Sequence, residues 1–279
     1  MNTRFAPSPT GWLHLGHAYA AWFARERARA AGGRFLLRME DIDAGRVRPE
    51  FGQAIVDDLR WLGLDWDGGI VWQNARQAAY AEALARLGAL GVVYPCFCTR
   101  RAIADEINRM GGAPHAGEES TYPGTCRVLE PDVRAARLAR GDAHALRLDF
   151  AAALRLTGPL VWTDRRFGVQ RVDAGGAGDV VLARKDAGTS YHLAVTVDDA
   201  WQGIGLVTRG QDLLPSTHIH RLLQALLGLP VPEWEHHLLV RDRQGGRLAK
   251  RDAAASLRTL RAAGWDPERV LGEARRRAG

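Results

Sequence analysis

The sequence predicts an α/β fold organised on a parallel sheet, and three observations carry that prediction. The chain opens with strand-like Arg4-Phe-Ala, turns through a segment punctuated by Pro and Gly, and enters a long Ala- and Arg-rich helix at about Leu15. Gly32-Gly33 stops that helix, and Arg34-Phe-Leu-Leu-Arg-Met-Glu40 follows as a buried strand, which makes strand, helix and strand the unit of a parallel crossover. The third observation is a change of texture at Tyr94-Pro-Cys-Phe-Cys98, where Gly, Pro and polar residues mark an insert before strand-like runs resume.

Taken in order, helices are expected from Leu15 to Ala31, from Pro49 to about Leu62 and from Ala75 to Leu90, each with apolar residues at helical spacing or a Pro at its start. The insert carries a short helix, Arg101 to Met110, and reaches to about Cys126. Strand-like runs follow at Ala145 to Phe150, Leu160 to Val172 and Asp179 to Lys185. A buried element runs from Tyr191 to Asp198, and Ile204 to Arg209 leads into Asp212. Ser216 to Leu227 is helical, Val231 to Val240 approaches a basic loop, and two short helices close the chain. The expected division is 1–93 for the first half of the sheet domain, 94–178 for the insert, 179–240 for the second half, and 241–279 for the loop and C-terminal helices.

At 279 residues the chain can bury a large core, and its net charge of +6 permits a polyanionic partner without requiring one. No run approaches the ~20 apolar residues of a membrane span. The N-terminus lacks a basic-then-apolar leader, and three cysteines do not make a disulfide framework. A cytoplasmic monomer is the expectation.

His14 and His17 flank Gly16 where the first turn passes into its helix. Free backbone N–H groups and the helix dipole favour phosphate there, and imidazoles add hydrogen bonds to its oxygens. Glu40, Asp41 and Asp43 fall beyond the carboxyl end of the second strand, the side of such a sheet on which ligands bind.

The string Pro-Ser-Pro-Thr-Gly-x-Leu-His-Leu-Gly-His, from Pro7 to His17, resembles the ATP-binding HIGH motif of class I aminoacyl-tRNA synthetases, in the version of the glutamyl and glutaminyl branch. Arg247-Leu-Ala-Lys-Arg251 resembles the lysine loop (KMSK-like) of the same enzymes, with Lys250 at the matching position. It departs from that pattern at Arg247, where lysine is usual, and at Ala249, where serine is usual. The resemblance covers essentially the whole chain. It implies a Rossmann-like parallel sheet split by a zinc-containing insert, with a short helical C-terminal region and no anticodon-binding domain. It also implies ATP contacts from His14, Gly16, His17, Arg247 and Lys250, with His14, His17 and Lys250 as the catalytic set.

By the same resemblance Arg4, Ser8 and Glu40 surround a glutamate substrate from the first half of the fold, and Tyr191 and Arg209 face them from the second. Arginine suits the two carboxylates and a buried glutamate suits the ammonium. On the residues alone, Tyr191 also reads as a core tyrosine and Arg209 as a surface ion pair with Asp212. Cys96-x-Cys98 and Tyr122-x-x-x-Cys126 reproduce the pattern of glutamyl-Q tRNA(Asp) synthetases, small relatives of the glutamyl enzyme, in which three thiolates and a tyrosine hold one structural Zn²⁺. His115 is the rival for the fourth position. The resemblance implies activation of L-glutamate with ATP and Mg²⁺, and transfer of glutamate to queuosine in the anticodon of tRNA(Asp). A truncated glutamyl-tRNA synthetase charging a 3′ end and a non-catalytic RNA- or amino-acid-binding regulator are the alternatives.

Overall fold

A computed structural model describes residues 1–99, 101–103, 105, 122–173, 178–241 and 256–278. The first half of the chain alternates β1 (Thr3–Phe5), α1 (Leu15–Ala30), β2 (Phe35–Met39), α2 (Pro49–Trp61), β3 (Val71–Trp72) and α3 (Gln77–Ala89). β1 pairs parallel with β2, Arg4 opposite Leu36, and β2 pairs parallel with β3. Every residue of β1 and β2 is buried, which is why Arg34 to Glu40 reads as a continuous apolar run instead of an alternating one. α1 turns Ala18, Ala21, Ala24 and Ala28 inward. A stripe of alanines at helical spacing lets the helix lie close on the sheet, and Gly32, at φ 60°, ends it in the left-handed region.

The middle of the chain contributes β4 (Val93–Cys96), α4 (Pro131–Ala139), β5 (Ala145–Leu148), α5 (Phe150–Thr157), β6 (Val161–Asp164) and β7 (Gly168–Arg171). The remainder contributes β8 (Val181–Ala183), α6 (Tyr191–Trp201), β9 (Leu206–Gly210), α7 (Leu214–Leu227), β10 (Glu233–His237), α8 (Leu257–Ala262) and α9 (Pro267–Ala278). β6, β10 and β9 form a second parallel sheet in that order, edged by β7 antiparallel to β6. β4, β5 and β8 form an antiparallel sheet between the halves.

The two parallel sheets meet where Gly205 N and Leu206 N both donate to Asn2 O, at 3.1 and 3.2 Å. β1 leads away to β2 on one side of this junction, and β9 to β10 on the other. The crevice beyond the carboxyl ends of β1 and β9 is therefore a topological switch point, the place where such sheets bind ligands.

Several boundaries differ from the sequence expectation for local reasons. The run Ala145 to Phe150 stops being a strand at Leu148, because Asp149 Oδ1 accepts Ala152 N at 2.9 Å and caps a helix beginning at Phe150. Leu160 to Val172 is a hairpin whose turn is tied by Asp164. The helix Pro131–Ala139, absent from the sequence expectation, buries none of its side chains. The strands also cross the expected boundary at 178: β6, before it, joins the sheet of β9 and β10, and β8, after it, pairs with β5. No helix among the described residues is long and apolar enough to cross a membrane.

One buried acid sets a stability test. Asp58 of α2 is 7% exposed, its Oδ2 has no hydrogen-bond partner among the described residues, and burial pushes its carboxyl up to about 6 despite Arg261 nearby. A carboxyl raised in the folded state contributes stability at low pH and loses it as pH rises through about 6. Asp58→Asn is expected to gain about 1–2 kcal/mol at pH 8 and to match the parent at pH 4, as measured by urea denaturation.

Candidate active site

The loop from β1 into α1 places His14 at the helix N-cap. His14 Nδ1 accepts Gly16 N at 3.1 Å, and His17 Nδ1 accepts His14 N at 3.2 Å, a reciprocal capping box made by two imidazoles. Since both Nδ1 atoms accept, both neutral rings carry hydrogen on Nε2, the form able to donate to a phosphate oxygen. The rings lie against each other at a tilt of 42°, with centroids 3.9 Å apart. A Cβ on Gly16 would sit 3.0 Å from His14 Cε1, so this glycine makes room for the ring as well as for a ligand, whereas a Cβ on Gly11 would meet nothing within 4 Å.

Ser256 forms an antiparallel bridge with His14, and Leu257 N donates to Leu13 O at 2.8 Å. After the segment between Arg241 and Ser256, the described chain resumes beside the phosphate-type site, at Ser256 and Leu257. Arg247, Ala249 and Lys250 lie within that segment, outside the described residues, as does His115 in the insert.

A cavity of about 130 Å³ opens at the switch point, lined by Ser8, Thr10, Glu40, Gln73 and Tyr191 among others. Glu40 is held 3.5 Å from Arg38, and burial raises its carboxyl above the ordinary range against the pull of Arg38 and Arg4. Gln73 donates Nε2 to Asp198 at 2.9 Å, while its Oε1 is buried without a partner among the described residues. Glu40 and Gln73 thus give the cavity two acceptors. Arg4 donates Nε and Nη2 to the two oxygens of Asp199, at 2.9 and 3.3 Å, and Nη1 to Thr208 O at 3.1 Å.

Arg209, 6% exposed, donates to Tyr191 Oη (3.2 Å), His236 Nε2 (3.0 Å), His220 Nδ1 (3.2 Å) and Thr217 Oγ1 (2.6 Å). All four acceptors are neutral, and among the described residues no carboxylate pairs with it. The surface ion pair with Asp212 is not what this residue forms. Tyr191 experiences the charges of Arg209, Glu40, Arg4 and Asp199, and its hydroxyl is nonetheless raised, chiefly by burial. The four residues Arg4, Glu40, Tyr191 and Arg209 thus share one cluster.

In the insert the sulfurs of Cys96, Cys98 and Cys126 lie within 4.8 Å of one another. Tyr122 Oη is 3.4 Å from Cys96 Sγ and 3.6 Å from Cys98 Sγ. A tetrahedral ion with bonds of ~2.3 Å needs donors about 3.8 Å apart, so these four atoms fit one. Burial alone would raise the Cys126 thiol, but the N–H of Phe97 and the Tyr122 hydroxyl hold it below the usual range. Cys98 is pushed up to about 11 by burial, and Tyr122 is also raised by burial. The Cys126 N–H donates to Tyr122 Oη at 2.8 Å and Arg147 lies 3.9 Å over the ring, both favouring a phenolate.

Residues 1–278 match the family described as tRNA synthetases class I (E and Q), catalytic domain. A Rhodobacter capsulatus protein named glutamyl-Q tRNA(Asp) synthetase is 50% identical over 273 residues, covering 96% of this chain and 97% of that one. The chain belongs to the class I glutamyl and glutaminyl tRNA synthetases, in their glutamyl-Q branch. A Symbiobacterium thermophilum protein of the same name is 46% identical, covering 96% of this chain and 84% of its own. Among solved structures, a glutamate tRNA ligase from Elizabethkingia meningosepticum in complex with its amino acid superposes with TM-score 0.76 at 29% identity. That match covers 90% of this chain and 52% of the ligase.

In this synthetase the sequence reading overlooked a second layer behind the cavity. Arg38, fully buried in β2, donates Nη1 to Asp199 and Gln202, both at 2.8 Å. Asp198 accepts from Gln73, Arg76 and Tyr80. The signal available was an arginine inside the apolar run Phe-Leu-Leu-Arg-Met and paired acids after Leu-Ala-Val-Thr-Val, since charges in such runs are buried with partners or not at all.

Proposed function

We propose that this synthetase activates L-glutamate with ATP to glutamyl-adenylate and pyrophosphate, then transfers glutamate to the queuosine base of tRNA(Asp), releasing AMP. The observation that carries this reading is Arg209, a buried guanidinium with no carboxylate partner among the described residues, bonded to Tyr191 on the wall of the switch-point cavity that Glu40 also lines. Behind the cavity Arg4, Arg38 and Arg76 pair with Asp198 and Asp199 and Arg38 lies 3.5 Å from Glu40, whereas Arg209 has no carboxylate partner among the described residues. Arg209 receives a substrate carboxylate, assisted by Tyr191, while Glu40 and Gln73 Oε1 take the ammonium and Ser8 lines the same wall.

In activation a glutamate carboxylate oxygen attacks the α-phosphorus of ATP as the bond to the bridging oxygen breaks. No protein nucleophile is required, so orientation and charge stabilisation supply the rate. His14 and His17 donate Nε2–H to phosphate oxygens beside the first N–H groups of α1, Gly16 keeps the backbone open, and Lys250 and Arg247 add positive charge, as the motif resemblance implies. Mg²⁺ accompanies the nucleotide.

Cys96, Cys98, Tyr122 and Cys126 hold one Zn²⁺, which ties together a segment whose apolar cluster is small. Cys98→Ser is expected to take zinc content from one per chain toward zero and to lower the melting temperature, read by elemental analysis and calorimetry. The enzyme acts as a cytoplasmic monomer.

Glutamate-dependent ATP–pyrophosphate exchange without tRNA tests the reading. Exchange with glutamate alone supports it. Exchange only on addition of tRNA favours a truncated glutamyl-tRNA synthetase, and none under either condition favours a regulator.

A further inference from the structure

We infer that Asp164 and His236 are positioning residues that hold Arg209 as an unneutralised cation aimed at the substrate carboxylate. The inference rests on the reading above, in which Arg209 receives that carboxylate. The three residues stand on three adjacent parallel strands, Asp164 at the end of β6, His236 in β10 and Arg209 in β9, with His236 directly opposite Arg209 in register. All three are buried, at 1%, 0% and 6% exposure.

Every acceptor site of Asp164 seen here is engaged. Its Oδ1 accepts Arg166 N at 2.8 Å and Phe167 N at 2.9 Å, which ties the β6–β7 turn. Its Oδ2 accepts His236 N at 3.2 Å and His236 Nδ1 at 2.6 Å. Nδ1 is therefore the protonated nitrogen, and Nε2 presents a lone pair to Arg209 Nε at 3.0 Å. The carboxylate acts on the guanidinium only through the ring. Had Asp164 paired with Arg209 directly, it would compete with the substrate carboxylate for the same N–H groups. An intervening neutral imidazole fixes the orientation of Arg209 and leaves its charge available. His220 repeats the device on the other side: its Nδ1 accepts from Arg209, which places its hydrogen on Nε2, facing His192 Nδ1 at 3.2 Å.

Asp164→Asn separates positioning from structure. An asparagine can keep its oxygen on the two turn N–H groups, but its amide N–H then faces His236. The imidazole must take the opposite tautomer, and Nε2–H meets Arg209 Nε–H, donor against donor. The alternative amide orientation sets the NH₂ against two backbone N–H groups and is worse. The expected result is a KM for glutamate raised about tenfold to a hundredfold, with KM for ATP and kcat within about threefold. His236→Gln, which can return an oxygen near the Nε2 position, is expected to keep the glutamate KM within about threefold of the parent, whereas His236→Leu raises it as Asp164→Asn does.

These variants are measured by pyrophosphate exchange beside Arg209→Gln. If Arg209→Gln raises the glutamate KM and Asp164→Asn does not, the positioning inference is overturned while the carboxylate assignment stands. If Arg209→Gln leaves it unchanged, the assignment itself falls and the inference with it. A parallel rise in KM for ATP and glutamate in Asp164→Asn also overturns positioning, in favour of a general structural role. Should Asp164→Asn not fold, the contrast between His236→Gln and His236→Leu decides: equal effects overturn the inference.

Discussion

Arg209→Gln is expected to lower kcat/KM for glutamate activation about 10²- to 10³-fold without lowering the melting temperature. Removing one partner of a buried, hydrogen-bonded charge pair costs about 2–5 kcal/mol of binding, and about 1.4 kcal/mol is a factor of ten. The loss falls on KM, because the substrate carboxylate that contacts Arg209 is bound before and during the transition state alike. Stability is expected to hold or to rise. In the protein without substrate, Arg209 is desolvated with four neutral acceptors and, among the described residues, no carboxylate, and burial lowers its pKa. Glutamine removes the buried charge and can still donate to one or two of the same acceptors. A variant that loses activity together with several degrees of melting temperature would instead identify Arg209 as structural. The two readouts are pyrophosphate exchange across a glutamate series and scanning calorimetry.

What could be read from sequence was what lies close in sequence. The string from Arg4 to His17 contains its own strand end, turn, cap and helix start, so its neighbours in space are its neighbours in the chain. The same holds for Cys96 with Cys98 and for Tyr122 with Cys126. Tyr191 to Asp198 was legible as buried but not as a helix, because its buried residues run consecutively from Leu193 to Thr196 and erase the 3.6-residue period. Phe150 was assigned to a strand because its apolar neighbours masked the capping role of Asp149.

The network behind the cavity was not legible for a different reason. Asp164 and His236 are 72 residues apart, and Arg4 and Asp199 are 195 apart. Only the pairing of β6 with β10 and the junction of the two parallel sheets bring them together. Arg209 read alone, three residues before Asp212, resembles half of a surface ion pair. Its burial follows from β9 lying beside β10 in the second sheet, a relation that no local pattern encodes.

The largest stability effect is expected from Asp199→Asn, a loss of about 3–5 kcal/mol at neutral pH, seen as a melting temperature roughly 6–10 °C lower. Asp199 of α6 accepts from Arg4 of β1 and, at 2.8 Å, from Arg38 of β2, so one carboxylate joins the first half of the chain to the second. Asparagine keeps the size but leaves two buried guanidiniums facing an uncharged amide. Glu40 at 3.5 Å and Asp198 at 3.9 Å from Arg38 are too loosely paired to replace it. Burial alone would raise the Asp199 carboxyl, but Arg4 and Arg38 hold it below the ordinary carboxylate range. An acid depressed in the folded state contributes stability above its unfolded pKa and loses it as pH falls through the folded value. The gap between parent and variant should therefore persist down to pH 4 and close only in stronger acid. Urea denaturation at pH 7, pH 4 and below tests this, and a gap that closes between pH 7 and pH 5 would assign the effect to another group. Because the same arginines stand behind Glu40, the variant is also expected to weaken glutamate activation, with Arg4 freed to turn toward the cavity.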